Sequence, residues 1–509
     1  MTEVAAPVVG PVALGPATGR TPAGPAESVT GSALRTIGFA SAVRGGSLAL
    51  GAGLGLATAV VLVRSLGVAG YGRVAFALTL ATAVGGLADF GVSTAVTRDG
   101  GLPEGVARGW ARTGVPVSLV SGSLAAAIVA SAAAVLPSST GRALWAAVPL
   151  AGLRPLHQTM AGALMARRRI IRVEGSYVLK AALTLVAIVV VDAAGRLDAE
   201  RAVWIQVLAS LSATAVLLPA WPDATRTTAR SSPAALLRFA VPLGLSLLAW
   251  SALQHSDVIL LGLIRGTGGV GRYAPLLQVG GMTDLLLGVI AAYYLPVVTP
   301  TLAARRFRDA GAIFVTVGRW GIVAATPLLA PLILCPGPLL QMLFGRQFSG
   351  LAGPARLLAV GYLANAVTGF NSRSLVALGA VRAIAVRSIV VVILILALNA
   401  ALIPRFGLVG AAAGTMVGYL GLNVANAILL ARRTGITPVV PAMLSTVAGG
   451  AAGTALAGGL LLATGHLAAR WAPFLVALVA TAGSAYAAFL TRQPADAEIW
   501  AHLRRRWAR

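Results

Sequence analysis

Residues 383–403 read AIAVRSIVVVILILALNAALI, a run in which Arg387, Ser388 and Asn399 are the only polar side chains. A helix of about 20 residues rises roughly 30 Å, the thickness of a bilayer's hydrocarbon core. The run is continuously apolar and does not alternate, so in lipid its backbone groups are satisfied within a helix and not in a β-barrel strand. Similar runs recur along the chain, near residues 41–63, 74–96, 113–136, 143–166, 173–192, 202–221, 238–264, 273–298, 312–334, 354–377, 408–431, 438–463 and 471–491. With 57% hydrophobic and 11% charged residues, the 509-residue chain has too little polar surface for a soluble fold of its size. The reading is an all-α polytopic membrane protein with about 14 transmembrane helices. Loops of at most about twenty residues leave no room for a soluble catalytic domain.

The net charge of +25 is distributed along the chain in a way that argues against a nucleic-acid partner. Of the 40 Lys and Arg, 25 fall in the N-terminal segment, the even-numbered loops and the C-terminal tail, counted with their flanking helix ends, against 11 in the odd-numbered loops. The positive-inside rule then places both termini in the cytoplasm of a bacterial plasma membrane, which requires an even number of spans. Residues 1–35 are rich in Pro, Gly and Ala, without an apolar signal-peptide core, and read as a disordered cytoplasmic tail. Residues 494–509 place Ile499, Trp500, Leu503 and Trp507 on one helical face among Arg504, Arg505 and Arg506, a basic amphipathic tail for the lipid surface. Cys335 is the only cysteine, so neither an intramolecular disulfide nor a cysteine-based metal cluster is expected, and no cofactor.

A Gly-rich turn occurs twice. Arg64-Ser65-Leu66-Gly67-Val68-Ala69-Gly70-Tyr71-Gly72 follows the first span, and Arg265-Gly266-Thr267-Gly268-Gly269-Val270-Gly271-Arg272-Tyr273 follows the seventh. An offset of six helices gives both copies the same orientation and predicts a pseudo-twofold axis along the membrane normal. The expected organisation is a six-helix bundle over 36–235, a second over 236–432, and two further helices over 433–493.

These residues carry a resemblance. Arg64 to Gly67, Gly70-Tyr71-Gly72, Leu87-Ala88-Asp89-Phe90-Gly91 with Thr94 and Arg98, Asp257 to Gly262 followed by Gly271 and Tyr273, Leu295-Pro296, and above all Leu398 to Ala412 are similar to blocks of the oligosaccharide flippases. That family is the polysaccharide-biosynthesis, O-antigen-type branch of the multidrug/oligosaccharidyl-lipid/polysaccharide exporter (MOP) superfamily. The blocks run from about residue 40 to 430. The resemblance implies an alternating-access transporter that moves polyprenyl-diphosphate-linked oligosaccharide to the outer leaflet. It implies membrane lipids, a polysaccharide polymerase and glycosyltransferases as partners.

A cargo of that kind calls for cations within the bilayer, each costing several kcal/mol if it faces lipid. Five are candidates for a diphosphate or glycan site: Arg44, Arg154, Lys180, Arg319 and Arg373, of which Arg154 lies nearest the midplane, beside Pro155, His157 and Gln158. The guanidinium fork suits phosphate oxygens. Lys180 is the only lysine in the chain. Asp257 with His255, and Asp284, are candidates for ion coupling, with Asp284 also placed to neutralise a cavity arginine. Asp89 is expected to cap a helix or pair with Arg98. Asn365, Asn371, Asn399, Asn423 and Asn426 are suited to bind sugar hydroxyls, with interhelical hydrogen bonding as the expected use.

Other functions remain open at this stage. A cation or drug antiporter of the same superfamily needs acids in its cavity, whereas cations outnumber acids in these spans. A peptidoglycan-precursor flippase would use cavity arginines in a similar way. A polytopic glycosyltransferase or glycan polymerase would place acids in a sizeable outer loop, and the acidic outer loop here is only the short Asp192–Glu200 segment. No catalytic residue or enzyme activity is expected.

Overall fold

The computed structural model describes residues 26–100, 109–221, 232–437 and 440–492, and among these every regular element is helical. The chain divides into the units Met1–Phe39 and Ala40–Arg509. The first is described from Ala26 and is helical there, so residues 26–35 depart from the expected disordered tail. Residues 1–25 and the basic C-terminal tail lie outside the described residues.

In chain order the helices are α1 (Ala26–Leu87), α2 (Val92–Gly100), α3 (Trp110–Val135), α4 (Ser138–Ala166), α5 (Ile170–Ala193), α6 (Ala199–Ala215), α7 (Pro233–Arg265), α8 (Thr267–Ala303), α9 (Phe307–Leu334) and α10 (Pro336–Phe344). They continue with α11 (Ala352–Thr368), α12 (Phe370–Ala377), α13 (Val381–Phe406), α14 (Leu408–Thr434), α15 (Pro441–Ala463) and α16 (Ala472–Leu490).

Ten helical stretches among the described residues are long and apolar enough to cross a membrane, against the fourteen runs counted in the sequence. One of the ten, Val43–Leu87, is 45 residues long and holds the first expected span and most of the second. They join without a loop because Gly67 takes φ 66° and ψ −176°, a conformation a side chain resists. Three more expected spans fall on α4, on α7 and on the pair α11 and α12. Arg154, His157 and Gln158 lower the apolarity of α4. The tenth expected span is divided at Gly369 into α11 and α12.

The second expected span is also broken. Its helix ends at Leu87, and Phe90 and Gly91 both take positive φ, 43° and 80°, before α2 begins. Phe90 is a bulky residue in a region that side chains rarely adopt. The turn is held by Asp89, whose carboxylate accepts Ser93 N at 3.1 Å and Ser93 Oγ at 2.8 Å, an N-terminal cap for α2. Arg98 lies instead over the Phe239 ring, 5.2 Å from its centroid.

Within the unit from Ala40 onward, α4 packs on α2, α3 and α6, and α5 on α6. Farther along the chain, α14 packs on α11 and α13, and α9 on α8 and α11. Helix α7 meets both sets, touching α13 and α14 on one side and α2 and α3 on the other. The hairpin α15–α16 is a close backbone contact in which a Cβ on Gly449 would meet Gly483 O at 2.4 Å and one on Gly453 would meet Val479 O at 2.5 Å, the small-residue packing that membrane helices favour. Ala457, Leu461, Ala472, Val476 and Ala480 join this hairpin to Ala330 at the end of α9.

The duplicated turns meet each other. A Cβ on Gly72 would lie 1.9 Å from Thr267 O, and a Cβ on Gly271 would lie 1.9 Å from Val68 O. Gly266 repeats the backbone of Gly67, with φ 74° and ψ 173°. At the far end of the same helices, a Cβ on Gly244 would lie 2.5 Å from Phe90 O, and one on Gly45 would lie 2.9 Å from Val289 Cγ1. One constant sequence shift relates Val68 to Thr267, Gly72 to Gly271, Gly45 to Gly244 and Phe90 to Val289. Reciprocal contacts under a constant shift are what a pseudo-twofold axis between the repeats produces.

Candidate functional site

Arg154 sits on α4 facing the second half of α1, where glycine leaves it room. A Cβ on Gly85 would meet Arg154 Cβ at 3.1 Å, and one on Gly86 would lie 3.5 Å from Arg154 Nε and 4.0 Å from Ser251 Oγ of α7. The guanidinium is thus placed where α1, α4 and α7 converge. Its Nε is buried without a hydrogen-bond partner among the described residues, as is Gln158 Oε1 one turn along the same helix. A buried donor left unpaired costs about 1–3 kcal/mol, more when charged, so such groups mark places where a polar species is accommodated.

Around Arg154 the charges form a circuit. Arg154 interacts electrostatically with Lys180, His157, His255, Tyr177 and Asp89. His157 Nδ1 lies 3.0 Å from Thr214 Oγ1, and its ring meets that of Tyr177 edge-on at 5.3 Å. On α5, Glu174 is buried, accepts a hydrogen bond from Ser47 Oγ and lies 3.9 Å from Arg44 Nη1. Arg44 in turn interacts with Arg373, and Arg373 with Asp284. Asp284 accepts Asn365 Nδ2 at 2.7 Å and Tyr419 OH at 2.8 Å. Tyr362, whose ring lies 5.2 Å from that of Tyr419, interacts with both Asp284 and Asp257, and Asp257 interacts with His255, which returns to Arg154.

Seven of the eight residues expected from the sequence belong to this circuit. The eighth is Arg319. It is 3% exposed on α9, between Gly318, which packs on Met443 of α15, and Gly321, which packs on Leu287 and Phe370. Asp257 and His255 are in the circuit but face differently, as residues two apart on a helix must. The Asp257 carboxylate is 2% exposed and accepts Tyr273 OH and Thr415 Oγ1, each at 2.8 Å, together with Val258 N at 2.7 Å. His255 Nδ1 lies 2.8 Å from Ser251 O. Asn365, Asn423 and Asn426 bond between helices: Asn423 Nδ2 donates to Asn365 Oδ1 at 3.1 Å and Asn426 Nδ2 to Ser372 Oγ at 3.0 Å.

The reading of the sequence missed Glu174, Tyr177, Tyr362 and Tyr419, and Gln254 on α7, whose Oε1 accepts the Tyr419 hydroxyl at 3.2 Å. A signal for the first two was present, since Glu174, Tyr177 and Lys180 recur every three residues on α5, the spacing of one helical stripe. Nothing in the spacing of the tyrosines distinguishes them from core aromatics, because their role depends on which carboxylate the fold brings to each hydroxyl.

Residues 172–303, from the start of α5 to the end of α8, match a family model described as polysaccharide biosynthesis protein. No curated protein sequence matches the chain. Among solved structures, the inward-facing conformation of a multidrug resistance MATE family transporter of the MOP superfamily is similar over 78% of this chain and 98% of its own, with a TM-score of 0.60 and 16% identity. The outward-facing conformation of such a transporter matches with a TM-score of 0.58 and 15% identity, over 79% and 95% of the two chains. A MOP superfamily transporter from Pyrococcus furiosus, described as having a binding pocket of reverse polarity that suggests a different function, matches with a TM-score of 0.58 and 13% identity, over 78% and 95%. About a fifth of the chain lies outside the shared architecture. The protein is therefore a multi-pass membrane protein with the fold of the MOP-superfamily transporters, and its residues 172–303 match the model of the polysaccharide biosynthesis protein family.

Proposed function

We propose that this protein is a flippase that carries polyprenyl-diphosphate-linked oligosaccharide from the inner to the outer leaflet of a bacterial plasma membrane by alternating access. The observation that carries the reading is Arg154, a guanidinium at the convergence of α1, α4 and α7 whose buried Nε has no protein acceptor among the described residues. Lys180 and His157 lie beside it, and Arg44 and Arg373 continue the cationic series. Two of the acids in the circuit are already engaged by hydroxyl and amide donors, Asp257 and Asp284, so the group offers more positive than negative charge to a cargo. A diphosphate would satisfy guanidinium and ammonium donors together. The polysaccharide-biosynthesis match at residues 172–303 supports the same class of cargo. The Pyrococcus transporter of reverse pocket polarity provides a precedent for this fold with a different charge in its pocket. Both termini are assigned to the cytoplasm from the charge distribution, and the polymerase and glycosyltransferases of the same pathway are the proposed partners.

A cation antiporter is favoured by one observation, the burial of Asp257 and half-burial of Asp284 in a fold shared with multidrug transporters. One experiment separates the two. In proteoliposomes, a labelled polyprenyl-diphosphate oligosaccharide is expected to change leaflet only when the protein is present. Expulsion of a cationic dye with no movement of the labelled lipid would reject the flippase reading.

A further inference from the structure

Eleven Lys and Arg lie in the loops assigned to the outer face, and three of them, from separate loops, meet in one place. Arg64 from the first outer turn, Arg346 from the loop after α10 and Arg470 from the loop between α15 and α16 line a cavity of about 260 Å³ together with Gln341, Met342 and Gly345. No acid lines it. Asp192, the carboxylate beside the first turn, accepts Ser65 Oγ at 2.8 Å.

The convergence is built into the fold. Arg64 donates from Nε to Leu343 O at 3.1 Å and from Nη2 to Met342 O at 2.7 Å, closing the last turn of α10, whose free carbonyls attract a cation. Gly345, at φ 103°, then turns the chain so that Arg346 follows directly. Arg470 is brought to the same cavity by the hairpin α15–α16, which packs against α9 and α10. Like charges gathered at a membrane surface repel one another unless an anion sits among them. The volume lies just below the range of pockets that take drug-sized ligands, which suits a phosphate-bearing headgroup and is small for an oligosaccharide.

We propose that Arg64, Arg346 and Arg470 form a binding site for a phosphate group, separate from the Arg154 circuit, and that the group is carried by an anionic lipid of the outer leaflet. The hairpin α15–α16 thereby acquires a role, since it supplies one of the three cations. The leaflet rests on the proposed topology, whereas the site itself rests on the cavity and its lining.

The test uses the full chain in phosphatidylcholine nanodiscs. Phosphatidylglycerol doped into the bilayer is followed by native mass spectrometry of retained lipid, and inorganic pyrophosphate by calorimetric titration. The variant is Arg346→Gln with Arg470→Gln, which leaves the Arg64 bonds to α10 in place. Loss of one guanidinium–phosphate contact is expected to weaken binding about tenfold, and loss of two about a hundredfold. Phosphatidylglycerol retained by the wild type and lost by the variant supports the lipid site. Pyrophosphate bound by the wild type, with no preference for phosphatidylglycerol, overturns the lipid source and assigns the phosphate chemistry to a soluble anion. Equal binding of each probe by wild type and variant, or no binding of either, overturns the site. Binding is read without transport, so a negative result here leaves the flippase reading untouched, and a failed flippase assay leaves this site standing.

Discussion

Removing the Arg154 guanidinium has two opposed consequences. It relieves repulsion with Lys180, and it removes an unpaired buried donor that costs about 1–3 kcal/mol by itself. Both effects favour the folded state of the empty protein. The same change removes a charged contact to a diphosphate, worth roughly 1.5–3 kcal/mol, or about ten- to a hundredfold in rate if it is made during translocation. Arg154→Ala is therefore expected to leave the detergent-solubilised protein as stable as the wild type or more so, while lowering flipping in proteoliposomes at least about tenfold. Arg154→Lys keeps the charge without the bidentate fork and is expected to fall between them. Lower thermal stability with an unchanged rate would make Arg154 a structural residue. At this scale the candidate site was legible in part: Arg154, His157 and Gln158 share a helical face by spacing alone, and depth in the span singled out Arg154 as a candidate. Depth along a helix is set by sequence position, but the neighbour a side chain meets is set by how that helix is rotated in the bundle.

The breaks in the helices were less legible than the helices. Residues 74–96 read as one apolar span, yet the chain leaves the helix after Leu87 and restarts at Val92, because Asp89 offers Ser93 a better local partner than the helical ladder does. An aspartate within an apolar run can equally be a buried charge or a cap, and only the fold decides. The two roles separate by substitution. Asp89→Asn keeps an oxygen for Ser93 N and removes the negative charge that interacts with Arg154. Asp89→Ala removes both, with a cap worth about 1 kcal/mol. Hydrogen exchange of the α2 backbone is expected to rise in Asp89→Ala and to stay near wild type in Asp89→Asn. Faster exchange in both variants would show that charge, and not the cap, holds α2. At the other end of α1, the Gly-rich turn was visible as a turn, but the joining of two spans without a loop was not. That depends on the backbone angles of the single residue Gly67.

The pseudo-twofold arrangement was visible as a repeated turn, and its physical content is a pair of contacts at opposite ends of the same helices. At one end Gly72 and Gly271 bring the backbones of α1 and α8 together, and at the other Gly91 and Gly244 do so between the α1–α2 turn and α7. Each contact tolerates no side chain, because the obstructing atoms are backbone carbonyls, Thr267 O in the first turn of α8 and Phe90 O in the α1–α2 turn. A Cβ on Gly72 would need Thr267 O to move from 1.9 Å to ordinary contact near 3.4 Å, and a Cβ on Gly244 makes a comparable demand on Phe90 O from 2.5 Å. Packed interfaces answer such demands by separating, not by deforming. If the two contacts are the two closures of an alternating-access cycle, Gly72→Ala should weaken the outer one and Gly244→Ala the inner one. Gln158, whose Oε1 is buried beside Arg154, provides a reporter when replaced by cysteine in a Cys335→Ser background, since Cys335 is the only native cysteine. An impermeant maleimide added from the outer side is expected to label Gln158→Cys faster when Gly72→Ala is present, and from the inner side faster when Gly244→Ala is present. Gly268→Ala, where a Cβ meets nothing within 4 Å, is the matched control and should change neither. Acceleration from the same side in both variants would mean that the two contacts are one rigid seam and that access to Arg154 is controlled elsewhere in the molecule.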